Sequence, residues 1–266
     1  MKISLNWIND YVDLNGVDKK DLIAKFGLRT AEVEDVYELG KDISGVIVAR
    51  ILEVNEHPKS THLHKLKVDT GKEVLDIVCG APNVRPDMKV ALATVGGSVK
   101  GMKIDKAVIL GEESYGMCCS KAELGFSEGD KGIWEVDQSI PLGTDIKQVY
   151  ELEDTIFEVD NKSLTNRPDL WCHYGIAREI SAILDRPLKP IVTENLQYYT
   201  QNGQVDIDVQ SNNCYRYSAM IIGNVTKKVS PIGVQIRLFY CGMRAINLLA
   251  DITNYVMLDV GQPMHA

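Results

Sequence analysis

The sequence has 266 residues, of which 45% are hydrophobic and 25% charged, and its formal net charge is −8. This length predicts two or three domains with ample core, and the composition is that of an ordinary soluble globular protein. Residues 1–39, 40–150 and 151–266 carry net charges of −3, −2 and −3, so no segment has the broad basic surface of a general nucleic-acid coat. Any RNA site must therefore be local.

The composition also limits the compartment and the chemistry. No apolar run reaches the roughly 18 residues that a membrane span needs, and polar residues at Asn6, Asn9 and Asp10 interrupt the start of the chain, where a signal peptide would be apolar. We therefore expect a cytoplasmic protein with no membrane partner. The six cysteines include no Cys-x-x-Cys pair, which favours reduced, mostly buried thiols over structural zinc or a catalytic cysteine.

The first 39 residues contain one clear helix signal. Asp18 can cap a helix that carries Leu22, Ile23 and Phe26 on one face, and Gly27 is predicted to end it. Because a segment this short buries too little surface to fold alone, it must dock on another part of the chain.

Residues 40–150 have the pattern of a small β domain. Short apolar or alternating runs are separated by turn signals, a spacing typical of a small barrel or sandwich. Five strands fit an OB-type barrel, a frequent binder of oligonucleotides. The predicted strands are residues 46–54, 63–68, 73–79, 89–95 and 104–110, with turns at 69–71, 80–83 and 96–97.

The chain becomes helical again after residue 141. Asn166-Arg167-Pro168-Asp169 predicts the start of a helix that runs to Asp185, with Pro168 near its first turn. We expect residues 1–39 and 151–190 to form one discontinuous helical domain, interrupted by the barrel of residues 40–150.

The last segment, residues 191–266, is mixed. Alternation over residues 205–209 and a run at 215–222 predict two strands. Ser230-Pro231 is predicted to cap one helix, and a second helix is expected to begin after Asn247 and stop at Gly261. We expect the chain to stop inside this third domain.

Two stretches of the barrel are candidates for binding. Residues 57–67 contain three histidines and three lysines, and Lys65 and Lys67 share a strand face that can follow phosphates. The alternative is a solvated strand edge, where lysines discourage edge pairing. A metal site at His57, His62 and His64 is disfavoured, because no carboxylate or cysteine lies at ligand spacing.

The second candidate stretch is residues 111–125. Its glycines permit tight turns, and Ser120 and Lys121 could reach a phosphate or a base. The alternative is a loop and short helix that close the barrel, and the spacing alone does not decide between the two.

Several motifs in residues 40–150 resemble the tRNA-binding OB domain. They are His57-Pro58, residues 77–84 (Ile-Val-Cys-Gly-Ala-Pro-Asn-Val), 90–93 (Val-Ala-Leu-Ala), 114–120 (Ser-Tyr-Gly-Met-Cys-Cys-Ser) and 123–125 (Glu-Leu-Gly). This domain occurs alone and as an appendage of several synthetases. The resemblance implies tRNA-binding candidates at Lys59, His62, Lys65, Lys67, Asn83, Ser120 and Lys121.

The flanking segments resemble the beta subunit of bacterial phenylalanine–tRNA ligase, in the correct order along the whole chain. The matching stretches are residues 1–11, 166–170, 175–179, 253–258 and 261–266. For the stretch at Asn166 the alternative is a helix start with a buried ion contact. The resemblance implies the N-terminal part of that subunit, with tRNA for phenylalanine and the synthetase alpha subunit as partners, and no DNA.

The resemblance also implies what the chain lacks. In this family two alpha and two beta subunits attach phenylalanine to its tRNA, and the alpha subunit binds ATP and magnesium. We therefore expect no cofactor, no metal and no catalytic residue in this chain, which alone should be inactive.

The final stretch resembles the start of the family's editing domain, which hydrolyses tyrosine mischarged onto the tRNA. A second site is useful because a phenylalanine pocket rejects one added hydroxyl poorly. The resemblance places Thr253, Asn254 and His265 in the editing pocket, where His265 could orient a water or the ester. For Asn254 the alternative is a mid-helix residue that pairs with backbone.

The sequence thus predicts a mixed α+β multidomain protein. It comprises a discontinuous helical domain (1–39 and 151–190), a five-stranded OB barrel (40–150) and the start of an α/β editing domain of the B3/B4 type (191–266). Two alternatives stay open. One is a stand-alone tRNA-binding module, which would not need the stretches at Asn166 and Thr253. The other is a structural scaffold of the synthetase, which the acidic balance allows.

Overall fold

The structure is a computed structural model that describes residues 1–129, 132–191 and 205–266. Within these ranges it has eleven strands and six α-helices, so the prediction of a mixed α and β protein is confirmed. The strands are β1 Lys2–Ser4, β2 Val33–Leu39, β3 Ser44–Glu56, β4 His64–Asp69, β5 Val74–Cys79, β6 Lys89–Val99, β7 Met102–Lys103, β8 Ala107–Ile109, β9 Glu112–Ser114, β10 Gly116–Cys118 and β11 Asp154–Val159. The helices are α1 Leu5–Asn9, α2 Lys19–Arg29, α3 Ile146–Val149, α4 His173–Leu184, α5 Ile232–Tyr240 and α6 Leu248–Val260. In this described part, no helix is long and apolar enough to cross a membrane.

A three-stranded antiparallel sheet joins segments from both sides of residues 40–150. Its order is β1-β11-β2, with Ile3 opposite Phe157 and Leu39 opposite Asp154. Helices α2 and α4 contribute to the same apolar cluster as this sheet. The buried members of the cluster are Ile3, Leu5, Ile8, Val12, Leu22, Ile23, Phe26, Ala31, Phe157, Val159, Leu164, Leu170, Ile176, Ala177 and Ile180.

The chain leaves this sheet after β2 and returns just before β11, and the two crossing points touch. Gly40 has φ of +70°, and a Cβ built on it would lie 1.9 Å from the carbonyl oxygen of Leu152. Only glycine fits this close approach, because any side chain would clash with the returning backbone.

The larger sheet is antiparallel and has the order β10-β6-β3-β4-β5, with β7 paired to β6. Its end strands β5 and β10 are not joined by a strand ladder among the described residues. Two hydrogen bonds nevertheless connect this region: Tyr115 N to Asp76 O (2.9 Å) and Val78 N to Ser114 Oγ (3.1 Å). The predicted strands are therefore present, but the predicted closed five-stranded barrel is not seen as a closed sheet.

Two details of the sheet differ from the prediction. Gly96 and Gly97 do not turn the chain, since β6 continues to Val99 and reverses at Lys100 and Gly101, which both have positive φ. The glycines instead allow close packing: a Cβ on Gly45 would lie 2.8 Å from the Cα of Gly97. The strand expected at 104–110 is replaced by the short strands β7 and β8.

The large sheet has an apolar cluster on each face. The inner cluster comprises Ala49, Ile51, Leu66, Val68, Ile77, Cys79, Met88, Val90, Leu92, Cys118 and Ile133. The outer cluster includes Val46, Val48, Cys119, Trp134 and Leu152, and it also contains Ile236 and Tyr240 of α5. Helix α5 therefore packs on the sheet, where the hydroxyl of Tyr240 donates to the carbonyl of Leu152 at 2.8 Å.

Helix boundaries follow the local signals only in part. Asp18 caps α2 as predicted, accepting from the amides of Lys20 and Asp21, but Gly27 lies inside the helix, which continues to Arg29. Helix α6 begins after Asn247 and ends at Gly261 as predicted, since Asn247 accepts from the amide of Ala250 and Gly261 is left-handed.

The helix predicted from Asn166 to Asp185 is split into two pieces. Pro168–Leu170 forms a 3₁₀ turn, and α4 begins separately at His173, with the sulfur of Cys172 accepting from the amide of Gly175. A Cβ on Gly175 would lie 1.7 Å from the carbonyl oxygen of Asp169, so the 3₁₀ turn folds tightly over the start of α4. The Asp185 end is confirmed, at φ of +52°.

The predictions for residues 205–231 are wrong in two respects. Residues 205–209 and 215–222 form no strand and are exposed, because alternation alone does not make a strand and no described segment pairs with them. Ser230 does not cap α5. Its hydroxyl donates to the buried carboxylate of Asp251, and α5 begins after Pro231 without a side-chain cap.

We call the three-stranded sheet β1-β11-β2 the N-terminal sheet. Trp7 is the centre of the contact between this part of the protein and α6. Its fully buried ring stacks on His173 (centroids 4.1 Å apart, planes 17° apart) and on Tyr255 (4.4 Å, 25°). Its indole NH donates to the Oδ1 atom of Asp259 at 2.8 Å, and the hydroxyl of Tyr11 donates to the same atom at 2.6 Å. We call Trp7, His173 and Tyr255 the tryptophan stack.

Arg237 links α5 to the tryptophan stack. Its guanidinium lies 5.5 Å from the ring centroid of Trp7 and is paired with Asp10 (2.6 Å) and Glu151 (3.0 Å). It also donates to the hydroxyl of Tyr255 at 3.0 Å. The side chain is only 14% exposed, so these partners replace the hydrogen bonds to water that the guanidinium loses on burial.

His173 is buried as a neutral imidazole. Its Nε2 accepts from the amide of Ser4 (3.2 Å), so Nδ1 carries the proton and donates to the carbonyl of Leu258 (2.9 Å). Burial lowers the pKa of His173 from 6.5 to about 4, and the positive charge of Arg237 acts in the same direction. The imidazole therefore stays neutral well below neutral pH.

Replacing Trp7 should destabilise the protein strongly. We expect Trp7→Ala to lower the free energy of unfolding by about 3–5 kcal/mol, because it leaves a large cavity between His173 and Tyr255. The matched control is Trp171→Ala, which removes a 42% exposed ring and should cost about 1 kcal/mol or less. Urea denaturation followed by circular dichroism measures both, and equal losses would contradict the central place of Trp7.

The stability contributed by His173 should depend on pH. Its folded pKa of about 4 is below the unfolded value of 6.5, so the unfolded state takes up the proton first as pH falls. Relative to His173→Gln, the wild type should therefore lose about 3 kcal/mol between neutral pH and about pH 4. Urea denaturation of both proteins across this range gives the difference; a difference that does not change with pH would show that His173 is not buried neutral.

Candidate nucleic-acid interface

The first candidate lysines line a groove on the outer side of β4 and β5. Lys65 forms an ion pair with Glu112 of β9 (2.6 Å), and Lys67 forms one with Asp76 of β5 (2.7 Å). The groove has a volume of about 710 Å³. It is lined by Asn55, Glu56, Pro58, Lys65, Leu66, Lys67, Asp76, Ile77, Val78, Gly111, Glu112, Glu113 and Tyr115. We call it the β4–β9 groove.

The β4–β9 groove has no excess of positive charge, because both of its lysines are paired and its lining also contains four acidic side chains, Glu56, Asp76, Glu112 and Glu113. The hydrogen bond from Lys65 holds the pKa of Glu112 below its usual value, and the hydrogen bond to Asp76 raises the pKa of Lys67. Both pairs are partly exposed, at 29–48% for the four side chains, so each stabilises the fold only slightly and a competing anion can displace the carboxylate. The same carboxylates repel a phosphate backbone and so reduce the attraction of this strand face for RNA.

The other candidate residues of the 57–67 stretch lie in different environments. Lys59 is exposed, and its ammonium lies near Gly111 at the rim of the β4–β9 groove. His62 is exposed on the loop before β4. His57 is buried, where Nδ1 accepts from the amide of Lys59 (3.1 Å) and Nε2 lies 3.3 Å from the carbonyl of Ile109. His64 opens β4 and has an Nδ1 atom without a hydrogen-bond partner among the described residues.

Asn83 holds two parts of the chain together. Its amide donates to the carbonyl of Ile133 (2.8 Å), and its Oδ1 accepts from the amide of Ile133 (3.0 Å). A Cβ on Gly132 would lie 2.3 Å from Oδ1, so the contact is close-packed. Both polar ends of the side chain are engaged in the fold, which leaves the proposed role of Asn83 in tRNA binding a prediction.

Ser120 and Lys121 lie just after β10, and Lys121 contacts α5. The carboxylate of Glu123 accepts from the amide (2.6 Å) and the hydroxyl (2.8 Å) of Ser120, which fixes the turn after β10. The ammonium of Lys121 donates to Oε1 of Gln235 in α5 at 2.9 Å. The seven tRNA-binding candidates therefore do not form one surface. Lys59, Lys65 and Lys67 lie in or beside the β4–β9 groove, His62 is on the loop before β4, and the other three contact the turn after β10, Ile133 or α5.

The three editing candidates lie at the end of the chain. Thr253 and Asn254 are half-buried in α6, where the hydroxyl of Thr253 donates to the carbonyl of Ala250 at 2.9 Å. His265 is exposed beyond the helix end at Gly261. In the described ranges, no hydrogen bond or ion pair joins these three side chains, and their common role in an editing pocket stays a prediction.

The Asn166 stretch forms an ion network at the surface. Arg167 donates to Asp169 (2.9 Å) and Glu179 (2.7 Å), and Arg178 also reaches Asp169 (2.6 Å). The guanidinium of Arg167 holds the pKa of Asp169 down to about 2. An ion contact is present as the alternative interpretation expected, but it is half-exposed rather than buried. Among residues 1–129, 132–191 and 205–266, no group of three histidine, cysteine or acidic side chains could hold a metal ion.

Comparisons with known proteins place these features in one family. The "Putative tRNA binding domain" family matches residues 46–145, and the "B3/4 domain" family matches residues 213–266. The phenylalanine–tRNA ligase beta subunits of Syntrophus aciditrophicus (39% identity), Fusobacterium nucleatum (40%) and Bacillus subtilis (40%) are similar over the whole chain. This chain is homologous to the N-terminal part of that beta subunit.

The homology covers all of this chain but only 33–34% of those three beta subunits. The similarity predicted for residues 40–150 and for the flanks is thereby confirmed. Among solved structures, the C-terminal domain of Plasmodium vivax p43 is 19% identical, with a TM-score of 0.30, and the match covers 40% of this chain and 65% of that one.

Two features of the beta-subunit homologue were missed by the sequence analysis. The carboxylates of Asp76 and Glu112, which neutralise the candidate lysines, come from the neighbouring strand β5 and from β9, which is distant in sequence. The tryptophan stack and Arg237 join segments more than 200 residues apart. Neither has a local sequence signal, because the partners meet only after folding.

Proposed function

We propose that this chain is the tRNA-recruiting N-terminal part of a phenylalanine–tRNA ligase beta subunit. The observation that carries the proposal is the homology along the whole of this chain at about 40% identity, together with the tRNA-binding family match over residues 46–145. In this proposal residues 40–150 act as an OB-type barrel, and residues 1–39 and 151–190 form the domain into which it is inserted. The third domain, from residue 191, begins the editing domain.

The parent complex would attach phenylalanine to its tRNA with ATP and magnesium, as an assembly of two alpha and two beta subunits in the cytoplasm. This chain would bind neither ATP nor magnesium. Its part would be to hold the tRNA for phenylalanine, because a charged strand face beside a groove can follow a phosphate backbone. The flank similarity from residue 1 to residue 266 disfavours a stand-alone binding module, which would need neither the N-terminal sheet nor α6.

The alternative function is a structural scaffold, and one observation favours it. Lys65 and Lys67 are already paired with Glu112 and Asp76, and Glu56 and Glu113 also line the β4–β9 groove, so it has no net positive charge to attract RNA. The two functions differ in what removal of the carboxylates does. If RNA enters the groove, the carboxylates oppose binding; if the groove is only structural, they stabilise the fold and do not affect RNA.

The test changes the groove charge without touching the lysines. Asp76→Asn with Glu112→Gln should tighten binding of phenylalanine-specific tRNA several-fold at low salt and steepen the salt dependence by about one to two phosphate contacts. Fluorescence anisotropy across a salt series measures both. The matched control is Asp21→Asn with Asp105→Asn, which makes the same charge change at ion pairs outside the groove.

Three results are informative. Tighter binding by the groove variant but not by the control supports tRNA recruitment through the groove. Equal tightening by both variants shows a non-specific charge effect. No binding of tRNA to the wild type even at low salt favours the scaffold function, or a site that needs the rest of the synthetase.

We also propose that the end of the chain contributes to hydrolysis of tyrosine mischarged onto the tRNA. The B3/4 match over residues 213–266 supports this, and so does the placement of Thr253 and Asn254 on the same helix. The exposed position of His265 leaves it free to approach a bound ester, once further residues complete the pocket.

In the complete ligase, His265→Ala should slow release of tyrosine from mischarged tRNA by at least about tenfold, because a positioned imidazole that orients or activates water is lost. The control is Met264→Ala, which changes the neighbouring exposed side chain. Deacylation is followed with radiolabelled tyrosyl-tRNA. Full activity of His265→Ala would remove this residue from the editing step.

A further inference from the structure

Two cysteines meet at one end of the inner cluster. Cys79 is the last residue of β5, and Cys118 is the last residue of β10. Both side chains belong to the inner cluster and line the same pocket, where β10 lies against β5. The pair therefore lies between the two end strands of the large sheet, which no strand ladder connects within the described residues.

The pair is accessible to a small reagent. Cys79 and Cys118 line a pocket of about 350 Å³ that opens between the loop after β5 and the turn after β10. Its other residues are Val78, Gly80, Ala81, Pro82, Met117, Ser120, Glu123, Gly132 and Ile133. Cys79 is 8% exposed and Cys118 is 5% exposed, so the sulfurs lie at the floor of this pocket.

The third cysteine of this region has a different environment. Cys119 follows Cys118 directly, and strand alternation turns its side chain to the outer cluster. There its thiol donates to the carbonyl of Met117 at 3.5 Å. Cys118 and Cys119 are thus adjacent in sequence but only Cys118 faces Cys79, which provides a natural matched control.

We propose that Cys79 and Cys118 form an oxidant-sensitive dithiol, which a hydroperoxide converts into an intramolecular disulfide. The neighbouring thiol of Cys118, together with the amide of Ala81 at 3.5 Å from the sulfur, stabilises the thiolate of Cys79. These contacts lower the pKa of Cys79 to about 7, while burial and the neighbouring sulfur raise that of Cys118. Cys79 is therefore the attacking sulfur and Cys118 the resolving one.

The reaction balances with one peroxide. The sulfur of Cys79 attacks one peroxide oxygen, the O–O bond breaks, and the leaving oxygen takes the thiol proton to give water and a sulfenic acid. The sulfur of Cys118 then attacks the oxidised sulfur, the S–O bond breaks, and the hydroxyl leaves with the Cys118 proton as a second water. Two thiols lose two electrons, and the hydroperoxide is reduced by two.

The disulfide would connect β5 to β10 covalently and so close the open path of the large sheet. In a reducing compartment such a bond is transient, because thiol reductants reverse it. The site does not include the groove lysines, which lie on the outer side of β4, although the tRNA-binding candidate Ser120 lines its pocket.

The test uses the whole chain with Cys214→Ser, because Cys214 is the exposed cysteine among the six and could cross-link two molecules. The protein is treated with hydrogen peroxide, alkylated and mapped by peptide mass spectrometry. We expect one cross-linked peptide that contains Cys79 and Cys118, the loss of two alkylatable thiols, and recovery of both after a dithiol reductant. Since this readout uses native Cys79 and Cys118, it does not depend on a variant that folds poorly.

Two variants assign the partner. Cys119→Ala should keep the cross-linked peptide, and Cys118→Ala should abolish it and leave Cys79 oxidised to sulfinic acid. A cross-link that survives Cys118→Ala, or peroxide treatment that leaves both native thiols alkylatable, would overturn the proposal. Oxidation of Cys79 alone in the presence of an intact Cys118 would also overturn it.

Discussion

The contact between the ends of the chain depends on one buried ring. Trp7 lies in the first short helix, yet its two faces meet His173 of α4 and Tyr255 of α6, and its NH meets Asp259. Buried polar groups destabilise a fold unless each has a partner, and here the ring and its neighbours supply partners to one another. The position of α6 relative to the N-terminal sheet follows from this arrangement. Whatever α6 contributes to function is therefore placed by the opposite end of the sequence.

The elements that were predicted correctly are those whose signals are local. Asp18 and Asn247 cap helices through amides two or three residues away, and Gly261 ends α6 by its own left-handed conformation. Gly27 is a glycine like Gly261, but it does not end its helix, because the side chains around it are held by packing on the N-terminal sheet. The alternation at 205–209 predicted a strand that did not form, since a strand also needs a neighbour that the local pattern does not specify.

The candidate interface shows the same division. The lysines of β4 were found from their spacing, and the alternation that places Lys65 and Lys67 on the outer face is confirmed. Glu112 could not be found in that way, since it lies far along the chain from Lys65 and reaches it only because β9 packs against β5, the neighbour of β4. The net charge of a groove is a property of the folded arrangement, whereas composition reports only the sum over the whole chain. A local basic stretch can thus become part of a surface without net positive charge.

The antiparallel pairing of β2 with β11 has a consequence for the order of folding. Leu39 and Asp154 are neighbours in the sheet although more than a hundred residues separate them, and Gly40 and Leu152 are in contact at the same crossing. Bringing the ends of so long a flexible loop together is entropically unfavourable. A folded large sheet holds its own entry and exit points side by side, which removes most of that cost. The N-terminal sheet is therefore expected to assemble last. Its strand β11 can pair with β2 only after the intervening large sheet has folded.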